Sequence, residues 1–186
     1  MTTKSLITIA GVAVLVCSAF GQQSQASLGI GVSGGLYYPS SAQLRNDFGN
    51  SQFLTFGISG GAGSRPSEGS ITPEYWIITA NGDGNSLFVL PFTYGYEYHF
   101  GANRKAKLVP YLRPFAGVAL YDYNITDAAS HRNFDTKRLG ATYGLEAGIS
   151  LTRKLKVSAT YNFFTSTDGF SFNGLTLAAS YTLFNL

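Results

Sequence analysis

The 186-residue sequence is poor in charge, in cysteine and in long apolar runs. Charged residues make up 12% of it, about half the roughly 25% of an ordinary soluble domain. Disorder is excluded by the same composition. Disordered chains are charge-rich and aromatic-poor, whereas aromatics are 15% here. Apart from the N-terminus, no stretch approaches the about 20 apolar residues of a membrane-crossing helix, which excludes a multi-pass helical protein. The formal net charge of +3 is small, and no Lys and Arg cluster marks a nucleic-acid surface. What is abundant is glycine (22), tyrosine (12) and phenylalanine (14). Such a chain suits a β protein that faces something other than water.

The N-terminus reads as an address. Lys4 precedes an apolar stretch from Leu6 to Phe20, the layout of a secretory signal peptide. Cleavage is expected after Gly21 or after Ala26. The second is preferred, because a strand pattern begins at Leu28, and the expected organisation is a signal at 1–26 and one domain at 27–186. The stretch is short for a permanent anchor and has no basic stop after it. Cys17 is the single cysteine, and Val16 before it is too large for a lipoprotein signal. A cut after Ala26 leaves no thiol for disulfides, catalysis or metal binding.

From Leu28 onward, apolar residues alternate with small or polar ones. Phe92, Tyr94, Tyr96, Tyr98 and Phe100 oppose Thr93, Gly95, Glu97 and His99. Leu155, Val157, Ala159, Tyr161 and Phe163 oppose Lys156, Ser158, Thr160 and Asn162. A period of two is the strand period. About eight strands are expected, near Leu28–Tyr38, Phe53–Gly61, Ile71–Ala80, Leu87–Phe100, Leu108–Tyr123, Lys137–Leu151, Leu155–Thr165 and Phe170–Leu186. Asn81-Gly82-Asp83-Gly84-Asn85, Gly101-Ala102-Asn103 and Thr167-Asp168-Gly169 carry turn chemistry. Ser40 to Phe48 predicts a short helical turn that ends at Gly49.

In a soluble barrel the face opposite the large apolar residues meets water and should be charged. Here that face is Gly, Ser, Thr, Ala and Asn, a filling for a narrow lumen. The Leu, Val, Ile, Tyr and Phe face suits lipid, with Tyr37, Tyr38, Tyr121, Tyr123, Phe163, Phe164 and Phe170 placed to form interfacial girdles. Backbone groups in lipid must all be paired, so the sheet must close. On this pattern the chain resembles the small eight-stranded outer-membrane β-barrels, a family that includes OmpX and the transmembrane domain of OmpA. The likeness rests on the signal, the alternating segments, Gly-rich hairpin strands such as 111–118, and a C-terminal strand.

The resemblance implies a closed antiparallel up-and-down barrel in the bacterial outer membrane. It also implies contact with outer-membrane lipid and with the barrel assembly machinery, which reads a terminal aromatic. Either Phe184 or Leu186 can serve as that signal. No peptidoglycan-binding segment is expected after the last strand. With the N-terminus in the periplasm, outer loops fall at Pro39–Gln52, Asn81–Ser86, Asn124–Thr136 and Ser166–Gly169. Inner turns fall at Ala62–Ser70, Gly101–Lys107 and Thr152–Lys154.

An eight-stranded interior has room for side chains alone, so its charges should be paired. Arg113 is expected opposite Glu146, with Glu97 one diagonal away on the preceding strand, as a structural plug. Catalysis is not expected. His99 and His131 belong to opposite ends, and Ser130-His131 with Asp127 or Asp135 are sequence neighbours that seldom meet as a triad. No metal-ligand spacing or cofactor motif is present. Three roles remain: a structural or adhesive barrel acting through Pro39–Gln52 and Asn124–Thr136, a narrow channel for ions or small solutes, and a soluble lipid-binding barrel with its apolar face inward.

Overall fold

In the computed structural model, the described residues are 27–49, 51–63, 70–100, 108–127, 131–152 and 154–185. The expected signal peptide lies outside them. Eight strands follow in order: β1 (Ser27–Pro39), β2 (Phe53–Gly63), β3 (Ser70–Gly82), β4 (Asn85–His99), β5 (Val109–Thr126), β6 (Asn133–Ser150), β7 (Leu155–Phe164) and β8 (Gly174–Asn185). Each pairs antiparallel with its neighbour, and β1 pairs with β8, so the sheet is a closed up-and-down barrel. A helix of six residues, α1 (Ala42–Asp47), interrupts the β1–β2 connection.

The outward face is apolar. Leu36, Phe56, Ile58, Leu139, Tyr143 and Leu177 are all more than half exposed on it. The inward-apolar arrangement of a soluble lipid-binding barrel is therefore not the one adopted. On β5 the outward apolar run extends from Pro110 to Leu120, ten residue steps. At about 3.3 Å per step and a tilt of about 40°, it rises ~25 Å, the height of an outer-membrane barrel's apolar band.

Above that row the alternation changes phase. Leu120 pairs with Leu139, and the next outward pair is Asp122 with Lys137, an exposed ion pair of 3.0 Å. Beyond it, Asn124 faces Asp135 and Thr126 faces Asn133. Inward at the same height stand Tyr121, Tyr123 and Ile125. In lipid the apolar side faces out; in water it faces in. On the β5–β6 hairpin the exterior thus changes from apolar to polar at Leu120–Leu139.

This corrects the girdle expectation. Tyr38 and Phe163 do face outward, but Tyr37, Tyr121, Tyr123, Phe164 and Phe170 are buried inside the barrel mouth. Successive strand residues point to opposite faces, so of Tyr37-Tyr38 or Phe163-Phe164 one member must turn in. The last strand begins at Gly174, later than the expected Phe170. Thr167 and Phe170 instead close a tight turn over Asp168 (φ 52°) and Gly169 (φ 85°), and Phe170 and Phe172 fold into the mouth. At the barrel seam, pairing shifts between Ile30 and Gly31. That irregularity puts Phe184 opposite Ile30 and leaves it 62% exposed. Leu186 lies outside the described residues.

Candidate functional site

The lumen has two layers. At the end that carries the termini it is ionic. Arg113 is 1% exposed. It lies opposite Glu146 in the ladder, and its Nε donates to Glu146 at 2.9 Å. Its second carboxylate is Glu74 on β3. Tyr111 donates its hydroxyl to Glu146 at 2.6 Å. Glu97 is not diagonal to Arg113. The Gly95–Phe115 and Tyr98–Leu112 pairs on either side set it directly across. Its carboxylate nevertheless goes elsewhere, to Lys156 at 2.5 Å and to His99 at 2.8 Å. The result is two linked ion clusters rather than one triad. Sequence reading grouped neither Glu74 nor Lys156 nor His99 with Arg113.

Glu74 escaped for a physical reason. β3 carries large apolar residues on both faces, Tyr75 and Ile77 outward and Trp76 and Ile78 inward, so its alternation is silent. The turn would have disclosed it. Asp83 (φ 50°) and Gly84 (φ 80°) form a two-residue hairpin connection that pairs Gly82 with Asn85. Counting back from that pair sets Glu74 against Thr93, on the same face as Glu97.

At the opposite end the lumen is aromatic. Tyr121 and Tyr123 pack on Phe172, Phe134 and Tyr123 on Phe170, and Trp76 on Phe115. Helix α1 completes this layer. Ser41 caps it by accepting from the Leu44 amide at 3.3 Å, and Gly49 (φ 59°) ends it in the left-handed region. Six residues cannot sustain a helix alone. It is held by Leu44 and Phe48, both 0% exposed, which seat in the mouth, and by Asn85, whose amide donates to the Asp47 carbonyl. The Asn85 side-chain oxygen accepts from the Thr126 amide at 2.8 Å, joining α1 to the β5 rim. The expected adhesive loop Pro39–Gln52 thus turns Leu44, Asp47 and Phe48 inward, while Ser40, Ala42, Gln43, Asn46 and Gln52 stay exposed.

Across the mouth, Asp168 accepts from the Thr136 and Tyr123 hydroxyls, both at 2.8 Å, and pairs with Arg138 at 3.0 Å. These two hydroxyls, then the guanidinium, hold its carboxyl below the ordinary carboxylate range. His99 and His131 stand at opposite ends of the barrel. Ser130 lies outside the described residues. Among the described residues no group of three His, Cys, Asp or Glu could hold a metal ion.

One strand edge is left open. β7 begins to pair with β6 at Thr142, although β6 starts at Asn133. Ala141 bonds Thr165 through both its amide and its carbonyl. By the two-residue period, the backbone groups of Asn133, Asp135, Lys137 and Leu139 face the same way. Among the described residues no strand pairs with them.

No protein-family model and no curated protein matches this sequence. Solved structures do. The crystal structure of Neisserial surface protein A matches with a TM-score of 0.60 at 13% identity, over 86% of this chain and 100% of that one. Ail, the attachment invasion locus protein of Yersinia pestis, matches with a TM-score of 0.55 at 9% identity, over 87% of this chain and 100% of that one. A second Ail structure, in complex with the heparin analogue sucrose octasulfate, matches with a TM-score of 0.54 at 11% identity, over 85% and 97% of the two chains. The fold is that of the small outer-membrane β-barrels.

Proposed function

We propose that this protein is a non-enzymatic barrel of the bacterial outer membrane that holds the β5–β6 hairpin out as an attachment surface. The observation that carries this reading is the phase change at Leu120–Leu139. Past it, three outward rows are hydrophilic, and the β6 edge from Asn133 to Leu139 is open to an added strand. The attachment role in the name of Ail supports the same reading. The hairpin, rather than Pro39–Gln52, is the attachment element.

The test is adhesion of cells that display the full chain to surfaces coated with fibronectin, collagen or heparin. Lys137→Pro removes an edge donor that the β5–β6 ladder does not use, and Lys137→Thr removes the charge alone. The expected result is adhesion by wild type and Lys137→Thr and its loss in Lys137→Pro, with equal surface levels. Equal adhesion by all three would refute edge pairing. Conduction of ions or solutes is the less favoured reading, because Leu44, Phe48, Tyr121, Tyr123, Phe170 and Phe172 fill the mouth.

A further inference from the structure

A groove of about 770 Å³ lies between α1 and the outer wall of β1 and β8. Its floor is Leu36, Leu175 and Leu177, side chains of the lipid face that are 53%, 38% and 55% exposed. Its upper rim holds Tyr38, Arg45 and Gln52. The Arg45 guanidinium lies 4.9 Å above the Tyr38 ring. One of its terminal nitrogens donates to the Pro39 carbonyl at 2.5 Å and to the Ser40 carbonyl at 3.0 Å. Among the described residues no carboxylate pairs with Arg45, Arg132 or Lys154, whereas Lys137, Arg138, Arg113 and Lys156 are all ion-paired; of the three unpaired cations Arg45 alone lines this groove.

We propose that this groove binds a phosphate-headed lipid, with its acyl chain on Leu36, Leu175 and Leu177 and its phosphate on Arg45. The argument is charge complementarity joined to position. The floor is continuous with the lipid face, so a chain enters sideways without leaving hydrocarbon. The cation stands where the apolar wall ends, beside an outward aromatic of the kind that marks the headgroup level. A guanidinium keeps a planar fork of donors that matches two phosphate oxygens, and Arg45 commits one nitrogen to carbonyls. The two carbonyl bonds and the Tyr38 face fix its position before a ligand arrives, which lowers the ordering cost of binding.

The experiment uses the full-length protein in phosphatidylcholine bilayers, with trace spin-labelled phosphatidic acid or spin-labelled phosphatidylcholine. The motionally restricted fraction of each label reports its association. Wild type should prefer phosphatidic acid by about fivefold, the effect of one well-placed cation near a headgroup. Arg45→Gln should abolish the preference and Arg45→Lys should keep part of it, with the heat-dependent electrophoretic shift confirming folding in each. Equal association of both lipids with wild type, or a preference that survives Arg45→Gln, would overturn the proposal. So would its loss in millimolar inorganic phosphate but not in sodium chloride of equal ionic strength, which would mean a free-phosphate site.

Discussion

At the scale of single residues, the decisive group is Arg113. It is buried against Glu146 and Glu74, so its loss leaves two carboxylates uncompensated in the lumen. Arg113→Ala should cost about 3–5 kcal/mol, the usual penalty for breaking a buried pair from one side, read as a lower urea midpoint for unfolding from micelles. It should not produce a stable conductance, because the aromatic layer above is untouched. A long-lived open pore in that variant would refute the view of the ionic layer as a structural plug. Asp168 makes a pH prediction. Its carboxyl is held below the ordinary value of 3.8, so the native state binds its proton more weakly than the unfolded chain does. Its contribution is therefore present above that range and is lost as pH falls through the lower, native value. Protease nicking of 165–173 should rise in wild type as pH falls below 3.8. In Asp168→Asn it should be high on both sides of that value, and a flat wild-type profile would mean that the Asp168 carboxylate does not hold this segment.

At the scale of elements, α1 and the strands obey different forces. The strands are held by a closed ladder, whereas α1 is held by Leu44 and Phe48 in the mouth. Leu44→Ala or Phe48→Ala removes buried apolar volume worth about 2–5 kcal/mol at a core position, more than so short a helix can lose. Hydrogen exchange should then become fast across 42–47, while β5 and β6 keep their protection. Loss of protection throughout the barrel would mean that α1 is integral to the ladder. The short β3–β4 turn is decided by backbone chemistry: both central residues need positive φ, and Asp83-Gly84 supplies them.

At the scale of the whole molecule, closure and sidedness decide behaviour. A ladder without free ends in the membrane band should resist sodium dodecyl sulphate in the cold. Unboiled protein should migrate differently from boiled protein, and in planar bilayers it should give no steady current. A band that does not shift on boiling would count against the closed barrel. A steady current would count against the filled mouth.

The sequence by itself determined the strand count, the Asp83-Gly84 and Asp168-Gly169 turns, the outward apolar face and the short helix within Ser40–Phe48, because all of these are local or periodic; the expected turns at 64–69 and 101–107 lie outside the described residues. Alternation of Leu112, Pro114, Ala116, Val118 and Leu120 with their neighbours is visible without a fold. The phase change at Tyr121 was equally present in the residues, but it acquires meaning only when a paired strand changes phase at the same height. Tertiary structure alone decided which aromatic of each adjacent pair turns inward. It also decided that Glu97 answers Lys156 while Glu74 answers Arg113. Those partners lie up to 59 positions apart in the chain. Their meeting depends on barrel closure and on the stagger of strands, which no local pattern encodes.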